Sequence, residues 1–219
     1  MSPELRIADL PSTVYLFPLD RFLLLPEATL PMTITDPRSR EILEAAEGAS
    51  GYLGVIQARP QAEGSESRFF DVGCLGRIRS LELGEEGHRV TLEGVIRFRV
   101  HRELPDSGNA LPQAAVAYEE FARDLRPVDE EDLKGWNMEG FKTALLRLGR
   151  MQSGRDTTPL EAMSSFQLVR MMAQTAPLTV AEKQALLEAP SFHDLMQLLF
   201  QLLAVNFLTT TPDTSSSTN

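Results

Sequence analysis

The 219-residue sequence contains one cysteine, Cys74, and only three histidines. A single thiol cannot form a disulfide framework within the chain, which is typical of proteins from reducing compartments. The three histidines and the cysteine are scattered and show none of the ligand spacings of a metal site. The sequence therefore predicts no disulfide-stabilised fold, no metal site and no cofactor.

The sequence also lacks a long apolar run and the features of a signal peptide. Its most apolar stretch, residues 195–208, is interrupted by Gln197, Gln201 and Asn206. This stretch is shorter than the roughly 20 residues that a membrane-spanning helix needs. Residues 1–9 have neither a basic start nor an unbroken apolar segment. We therefore expect a cytoplasmic protein that does not enter membranes.

Basic charge is scarce, and so are the motifs that bind phosphate groups. Lysine and arginine total 21 against 31 aspartates and glutamates, which gives a net charge of −10. A negative field repels phosphate backbones and disfavours generic nucleic-acid binding. No Gly-x-x-x-x-Gly-Lys-Ser/Thr motif is present to bind nucleotide phosphates. We therefore expect no ATPase activity.

Short apolar runs, bounded by proline and glycine, fill the first 120 or so residues. The runs at residues 13–19, 22–25 and 30–34 are typical of β-strands. A helix follows them, with Thr35 or Asp36 as its cap and Pro37 at its first position. This half of the chain is predicted to be rich in β-structure with one helix.

The clearest element is a long hairpin, in which residues 72–83 and 88–101 flank a turn at residues 84–87. On its second strand apolar and polar side chains alternate, so that Phe98 lies on the inner face and Arg97 on the outer face. Such alternation predicts a sheet with one buried surface.

A bulge near residues 79–80 would return the apolar side chains of the first hairpin strand to one face. In that register Gly76 lies opposite Gly94, and Cys74 lies opposite Ile96. Paired glycines suit the sharp bend at which a sheet closes into a barrel.

From Asp129 onward the pattern is helical. A helix is predicted near residues 134–151, and three capping boxes predict further helix starts. The boxes are Thr158 with Glu161, Thr179 with Glu182, and Ser191 with Asp194. About four helices are expected to pack as a small bundle. The acidic run at residues 119–132 is interpreted as a solvated linker or a solvated helix face.

Together these patterns predict an α+β fold in three parts. Residues 1–125 form a β-rich pseudo-barrel with one helix, residues 126–207 form a helical bundle, and residues 208–219 form a disordered Thr/Ser-rich tail.

Three stretches together resemble the N-terminal, substrate-binding domain of Lon-type ATP-dependent proteases. The first is the apolar-proline pattern of residues 16–38, which ends in Asp-Pro-Arg. The second is Gly-Cys-Leu-Gly-Arg at residues 73–77, and the third is Leu-Glu-Gly-Val-Ile-Arg-Phe-Arg-Val at residues 92–100. The sequence departs from the family at Glu27, where glycine is usual, and at residues 33–35, where an aromatic is common. The structural residues of the motif are Asp36, Pro37, Gly73, Cys74, Gly76, Gly94 and Phe98.

The resemblance implies a PUA-like pseudo-barrel in a stand-alone bacterial member of this family that lacks ATPase and protease domains. It implies a non-enzymatic protein that recognises unfolded or degradation-marked polypeptides, with a protease or a chaperone as a further candidate partner. The binding surface is expected on the β-domain or in a cleft between it and the helices. Candidate partner-binding residues are Phe22, Leu23, Leu24, Leu25, Arg38 and Arg97.

Two alternatives remain open. RNA binding is suggested by the pseudo-barrel and by the hairpin between residues 77 and 102, which has six arginines against four glutamates but no lysine. A cysteine hydrolase would need Cys74 within hydrogen-bond reach of His88, His101 or His193. The predicted register places the thiol on the apolar face, where a buried and inert cysteine is common.

Overall fold

The computed structural model describes residues 5–19, 22–59, 68–84, 87–104, 111–128, 133–153 and 161–210. The strands are β1 (Thr13–Pro18), β2 (Thr29–Ile34), β3 (Tyr52–Ile56), β4 (Val72–Gly84), β5 (Gly87–Glu103) and β6 (Gln113–Ala117). The α-helices are α1 (Pro37–Ala49), α2 (Met138–Ser153), α3 (Ser165–Thr175), α4 (Val180–Leu187) and α5 (Phe192–Thr210). Two 3-10 segments, Ile7–Asp9 and Glu119–Leu125, complete the described elements.

The strands form one six-stranded sheet in the order β2-β5-β4-β3-β1-β6. Strand β5 also pairs with β6, for example through Val100 and Val116, so five of the strands form a closed ring. Among the described strands, β2 pairs only with β5 and extends from that ring. The sheet-rich first half is as the sequence predicted, except that residues 22–25, which were predicted as a strand, belong to no strand. The finer assignment to PUA-like folds stays a prediction.

The predicted hairpin is present, and Gly76 lies opposite Gly94 as expected. The predicted bulge is also confirmed, because the register shifts between Ile78 and Ser80. A Cβ atom on Gly94 would lie 2.0 Å from the carbonyl oxygen of Leu25. Glycine is therefore required here by the close approach of another backbone segment.

The predicted pairing of Cys74 with Ile96 is wrong. A second register shift leaves Val95 as an extra residue on β5, so that Leu75 pairs with Ile96 and Cys74 pairs with Arg97. The first residues of β4 are all buried. Because both faces of this part of β4 are buried, its sequence does not alternate between apolar and polar residues, and the second bulge could not be inferred from it.

Helix α1 begins as predicted. Asp36, rather than Thr35, is its cap, because its Oδ2 accepts a 2.7 Å hydrogen bond from the backbone N–H of Ser39. Pro37 occupies the first turn, and one apolar face packs on β1 and β3. The buried residues of that face are Ile42, Leu43 and Ala46.

Two of the three predicted helix caps are present, Thr179 with Glu182 and Ser191 with Asp194. The third falls on Thr158, which lies outside the described residues. A further capping box, Ser164 with Gln167, was not predicted. Helix α5 continues to Thr210, so the first residues of the predicted tail are helical, and residues 211–219 lie outside the described ranges.

The acidic run is not a simple linker. Residues 119–125 form a 3-10 segment that packs against β5 and buries Phe121. The alternative of a helix face fits this part better, because Glu119 and Glu120 are exposed, but Asp124 is in contact with the sheet; residues 129–132 lie outside the described chain. Buried apolar side chains of the sheet and of the helices form one continuous cluster. The domain bounds given above stay a prediction.

None of the helices within the described ranges combines the length and the apolar character that crossing a membrane requires.

Candidate partner-binding cleft

A cleft of about 110 Å³ lies where the sheet meets the helices. Glu27 borders it from the loop before β2, Arg97 from β5, and Asp124 from the 3-10 segment. The helices contribute Arg170 from α3 and Phe192 from the start of α5. The cleft is thus built by segments from both halves of the chain.

Arg97 joins these segments. Its Nε and Nη2 atoms each lie 2.8 Å from an oxygen of the Asp124 carboxylate. Its Nη1 donates to the carbonyl oxygens of Leu187, at 3.1 Å, and Ala189, at 2.6 Å. The guanidinium also lies over the Phe121 ring, 4.7 Å from the centroid. The polar face of β5, which was predicted to face solvent, is therefore covered at Arg97 by the 3-10 segment and by the end of α4. Arg97 lines the cleft.

Glu27 has a left-handed backbone, with φ of 60°. The N–H of Ala28 donates to the carbonyl of Leu25 at 3.1 Å, which closes a turn with Pro26 at its second position. The third position of such a turn favours glycine, and this is where the sequence departs from the family it resembles. Glutamate at this position has an interaction that glycine could not make, because the Glu27 carboxylate forms an ion pair with Arg170.

The Arg170 guanidinium lies largely out of solvent between Glu27 and the Phe192 ring, 5.1 Å from that centroid. Burial lowers the pKa of Arg170, and the charge of Glu27 opposes that effect. The arginine is therefore held by a carboxylate on one side and by an aromatic ring on the other. This arrangement fixes one wall of the cleft.

Two further arginines, Arg123 and Arg126, are exposed where they border the cleft. Arg123 donates from Nη1 to the carbonyl of Pro127 at 3.1 Å. The remaining lining is mainly apolar. Its apolar members include Leu25, Val128, Leu187, Phe192 and Leu195. The cleft combines an apolar interior with basic groups, which is the composition expected of a peptide-binding surface.

The four predicted apolar contact residues do not form one surface. Phe22 is 41% exposed, whereas Leu23, Leu24 and Leu25 are buried. A partner can reach the Phe22 ring directly, and Nζ of Lys183 lies 5.9 Å from its centroid. Leu25 lines the cleft, while Leu23 and Leu24 pack into the core.

Arg38, the remaining candidate, is exposed in the first turn of α1 and is not among the residues that line the cleft. The motif residues Gly73 and Phe98 lie against each other, because a Cβ atom on Gly73 would be 2.4 Å from Cζ of Phe98. Both are part of the packing of the sheet.

Cys74 is fully buried, and burial raises the pKa of its thiol far above the ordinary value. Its sulfur lies 3.8 Å from the carbonyl oxygen of Leu75. His88 contacts Glu44 through Nε2 at 3.1 Å, and His193 accepts a 2.8 Å hydrogen bond from the Trp136 indole N–H. These contacts differ from the thiol–imidazole pair that a cysteine hydrolase needs.

Three of the hairpin arginines are paired with carboxylates. Besides Arg97, these are Arg79, which lies 2.5 Å from Glu93, and Arg99, which lies 2.7 Å from Glu120. Paired guanidinium groups offer less charge to a phosphate backbone. The arrangement therefore weakens the RNA-binding alternative.

Sequence reasoning missed Asp124, Arg170 and Phe192 as parts of the cleft. Asp124 lies in an acidic run that resembles a solvated surface. Arg170 did carry a signal, because it stands within the apolar sequence Leu-Val-Arg-Met-Met-Ala at residues 168–173. A charge in such a stretch is rarely buried unless it is paired.

The chain belongs to the family of the ATP-dependent protease La (LON) substrate-binding domain, whose family model matches residues 13–205. Its fold is that of solved Lon N-terminal domains. The Lon N-terminal domain protein from Xanthomonas campestris matches with a TM-score of 0.58 at 23% identity, over 89% of this chain and 98% of that one. The N-terminal domain of a Lon protease from the Mycobacterium avium complex also matches with a TM-score of 0.58, at 16% identity, over 91% of this chain and 100% of that one.

Among curated proteins, Lon protease 2 of Myxococcus xanthus is 24% identical over 199 residues, which are 89% of this chain and 24% of that protein. The chain spans about a quarter of the length of the Lon proteases that it matches. The match is thus to the substrate-binding domain and not to the catalytic domains.

Proposed function

We propose that this chain recognises unfolded or degradation-marked polypeptides through the cleft between its sheet and its helices, without cleaving them or hydrolysing nucleotide. Membership in the substrate-binding domain family supports the recognition of protein substrates. The observation that carries the proposal is the cleft itself, which has an apolar interior and two largely buried arginines, Arg97 and Arg170, at the junction of the two halves.

The shape of the cleft suits a side chain of an extended peptide better than a folded partner. Its volume of about 110 Å³ is smaller than the roughly 300–1,000 Å³ of a typical ligand pocket. An extended chain offers side chains one at a time, and each can enter such a space while the backbone stays outside. Phe22, the exposed ring beside Lys183, gives a second apolar contact.

The free edge of β2 is a poorer site. A peptide added to a sheet edge needs unpaired backbone N–H groups, and Pro31 in the middle of β2 lacks a backbone N–H. Proline on an edge strand is a common means of preventing strand addition. The cleft is therefore the preferred surface.

The test uses a permanently unfolded, fluorescently labelled protein and measures its binding by anisotropy. Val128→Glu places a charge in the apolar lining, and we expect it to weaken binding by roughly tenfold or more. Val205→Glu is the matched control, because Val205 is exposed on α5 and is not part of the cleft lining.

If the wild-type chain bound no unfolded protein, or if the two variants weakened binding equally, the cleft would not be the recognition site. Preferential binding of a single-stranded RNA competitor would favour the nucleic-acid alternative instead. Proteolysis of the labelled chain that disappears in a Cys74→Ala variant would contradict the non-enzymatic assignment.

A further inference from the structure

We propose that Gln57 forms a second subsite for the bound polypeptide, in which its side-chain amide pairs with the backbone of that polypeptide and not with a side chain. This inference rests on the proposed function and adds to it the chemical group that is recognised. Every unfolded chain has backbone N–H and C=O groups whatever its sequence. Such a subsite would therefore accept chains of many different sequences.

The side chain of Gln57 is buried without a hydrogen-bond partner. Gln57 directly follows β3 and is only 2% exposed. Within the part of the chain that the structure describes, neither Nε2 nor Oε1 of this amide has a hydrogen-bond partner. A buried polar group without a partner is unfavourable and is uncommon in native proteins. A ligand that supplies both an acceptor and a donor would remove this unfavourable state.

The backbone around Gln57 is held in place on both sides. The carbonyl of Gln57 accepts a 3.0 Å hydrogen bond from the N–H of Phe70. The carbonyl of Ile56 accepts one of 2.9 Å from the N–H of Leu19. The position of the Gln57 amide is therefore set by the sheet, and its lack of partners is not explained by a poorly anchored backbone.

Gln57 lines a narrow pocket that adjoins the cleft. Leu187 of α4 lines both spaces, and the pocket is bordered by Leu24 where the cleft is bordered by Leu25. Among the described residues around the pocket, only Gln57 has a polar side chain. An extended polypeptide with one side chain in the cleft can thus continue past Leu187 towards the Gln57 amide.

The pocket must open before a ligand can reach Gln57. As it stands, the space is too narrow to hold a water molecule, so water cannot pair with the amide there. Phe22 is the exposed member of the lining, whereas the other apolar members are buried. Rotation of an exposed side chain is fast. We therefore assign the opening to the Phe22 ring, which can pack over the bound backbone afterwards.

A glutamine amide is well matched to an extended backbone. It has an N–H donor and a carbonyl acceptor side by side. In an extended chain the N–H and C=O of one residue point to the same side, so both can pair with one amide. The Gln57 amide is neutral, and this pairing does not depend on the charges around it.

A nucleobase edge also has a donor beside an acceptor, but two observations favour a polypeptide. The pocket continues into the mainly apolar cleft proposed to bind polypeptides. The net charge of −10 also opposes the approach of a long polyanion. RNA is therefore kept as an outcome of the test.

The first experiment compares two short, fluorescently labelled peptides of leucine, alanine and serine by anisotropy. Their sequences are identical, but one has a methyl group on every backbone nitrogen, which removes the N–H donors and keeps the side chains. We expect the wild-type chain to bind the unmodified peptide roughly fivefold to tenfold more tightly. The ratio should change little as salt is raised, because the groups that pair are neutral.

A second experiment assigns this ratio to Gln57. Gln57→Met keeps an unbranched side chain but removes the amide. We expect this variant to bind the two peptides almost equally, and to bind a permanently unfolded protein roughly fivefold to tenfold more weakly than the wild-type chain does. The urea midpoint of unfolding should not fall, because the amide that is lost had no partner.

Gln174→Met is the matched control. Gln174 is also buried, and its Nε2 has no hydrogen-bond partner among the described residues. It lines neither the cleft nor the pocket. This variant should keep the wild-type ratio between the two peptides and the wild-type affinity for the unfolded protein.

Three results would overturn the inference while leaving the proposed function intact. These are equal binding of the two peptides by the wild-type chain, an unchanged affinity of Gln57→Met for the unfolded protein, and a loss of binding in Gln57→Met that is accompanied by a lower urea midpoint. Failure of the wild-type chain to bind either peptide or the unfolded protein would instead overturn the proposed function. Tighter binding of an RNA oligonucleotide than of either peptide, lost in Gln57→Met, would assign Gln57 to nucleic acid.

Discussion

Arg97 and Asp124 lie 27 residues apart in the chain and form an ion pair that is almost removed from solvent, with side chains 12% and 9% exposed. The same guanidinium donates to the carbonyls of Leu187 and Ala189 at the end of α4. One side chain of the sheet therefore binds both the 3-10 segment and the helices. The shape of the cleft depends on this junction.

Removal of the Asp124 carboxylate should strongly destabilise the folded protein. In Asp124→Ala the Arg97 charge remains buried without its partner, and we expect the free energy of unfolding to fall by about 3–5 kcal/mol. Urea denaturation followed by circular dichroism measures this change. Glu120→Gln is the control, because the Arg99–Glu120 pair is exposed and its loss should cost less than about 1 kcal/mol. Similar losses in both variants would show that the junction is not important for stability.

Gly94 should not tolerate a side chain. In Gly94→Ala the new Cβ atom would overlap the Leu25 carbonyl at 2.0 Å, and we expect a loss of at least about 2 kcal/mol in the free energy of unfolding. Gly48→Ala is the matched substitution, because Gly48 lies in α1 with nothing within 4 Å of its Cβ position. That change should stabilise the protein by about 0.5–1 kcal/mol. Equal effects on the unfolding midpoint would contradict the close approach.

Position 27 should favour glycine over alanine. Both Glu27→Gly and Glu27→Ala remove the carboxylate that pairs with Arg170. Only glycine adopts the left-handed backbone at φ of 60° without steric cost. We therefore expect the glycine variant to be more stable than the alanine variant by about 1 kcal/mol, as measured by denaturant unfolding. Equal stability of the two variants would mean that the turn relaxes.

Cys74 should make the protein less stable at alkaline pH. The native thiol has a raised pKa and stays protonated, whereas the unfolded thiol ionises near its ordinary pKa of 9.0. Above that pH the unfolded state has fewer bound protons, so stability falls as pH rises, by at most about 1.4 kcal/mol per pH unit. Burial also raises the pKa of Tyr118 and acts in the same direction.

The contribution of the thiol is isolated by comparing the wild-type protein with Cys74→Ala. From pH 8 upward the unfolding free energy of the wild-type protein should fall more steeply than that of the variant, so that the two values converge or cross. The variant has no thiol to ionise on unfolding but keeps the effect of Tyr118. Parallel pH profiles would contradict the assignment. So would rapid labelling of the native thiol by a water-soluble disulfide reagent.

The sequence pattern predicted much of the sheet because its signals are local. Alternation along β5 and the glycines of the hairpin were enough to pair Gly76 with Gly94 and to detect the bulge at Arg79. The second bulge, at Val95, escaped prediction because the facing part of β4 is buried on both sides. A strand without a solvent face has no period-two pattern from which its register can be inferred.

The cleft was harder to predict because its contacts join distant parts of the chain. Alternation shows on which side of the strand Arg97 lies, but it does not show what covers that side. Asp124 stands in an acidic run, and such runs are usually solvated. Only the tertiary arrangement shows that this carboxylate and the Arg97 guanidinium meet. The partner of Glu27 is likewise separated from it by 143 positions.

The hydrogen bond between Trp136 and His193 has a practical consequence. The chain has one tryptophan, and its indole lies between α2 and α5, where it also contacts the edge of the Phe141 ring, 4.8 Å between centroids. Its emission spectrum is thus an intrinsic reporter of the helices and not of the strands. Unfolding followed both by that emission and by far-ultraviolet circular dichroism would show whether the helices unfold before the strands or at the same time.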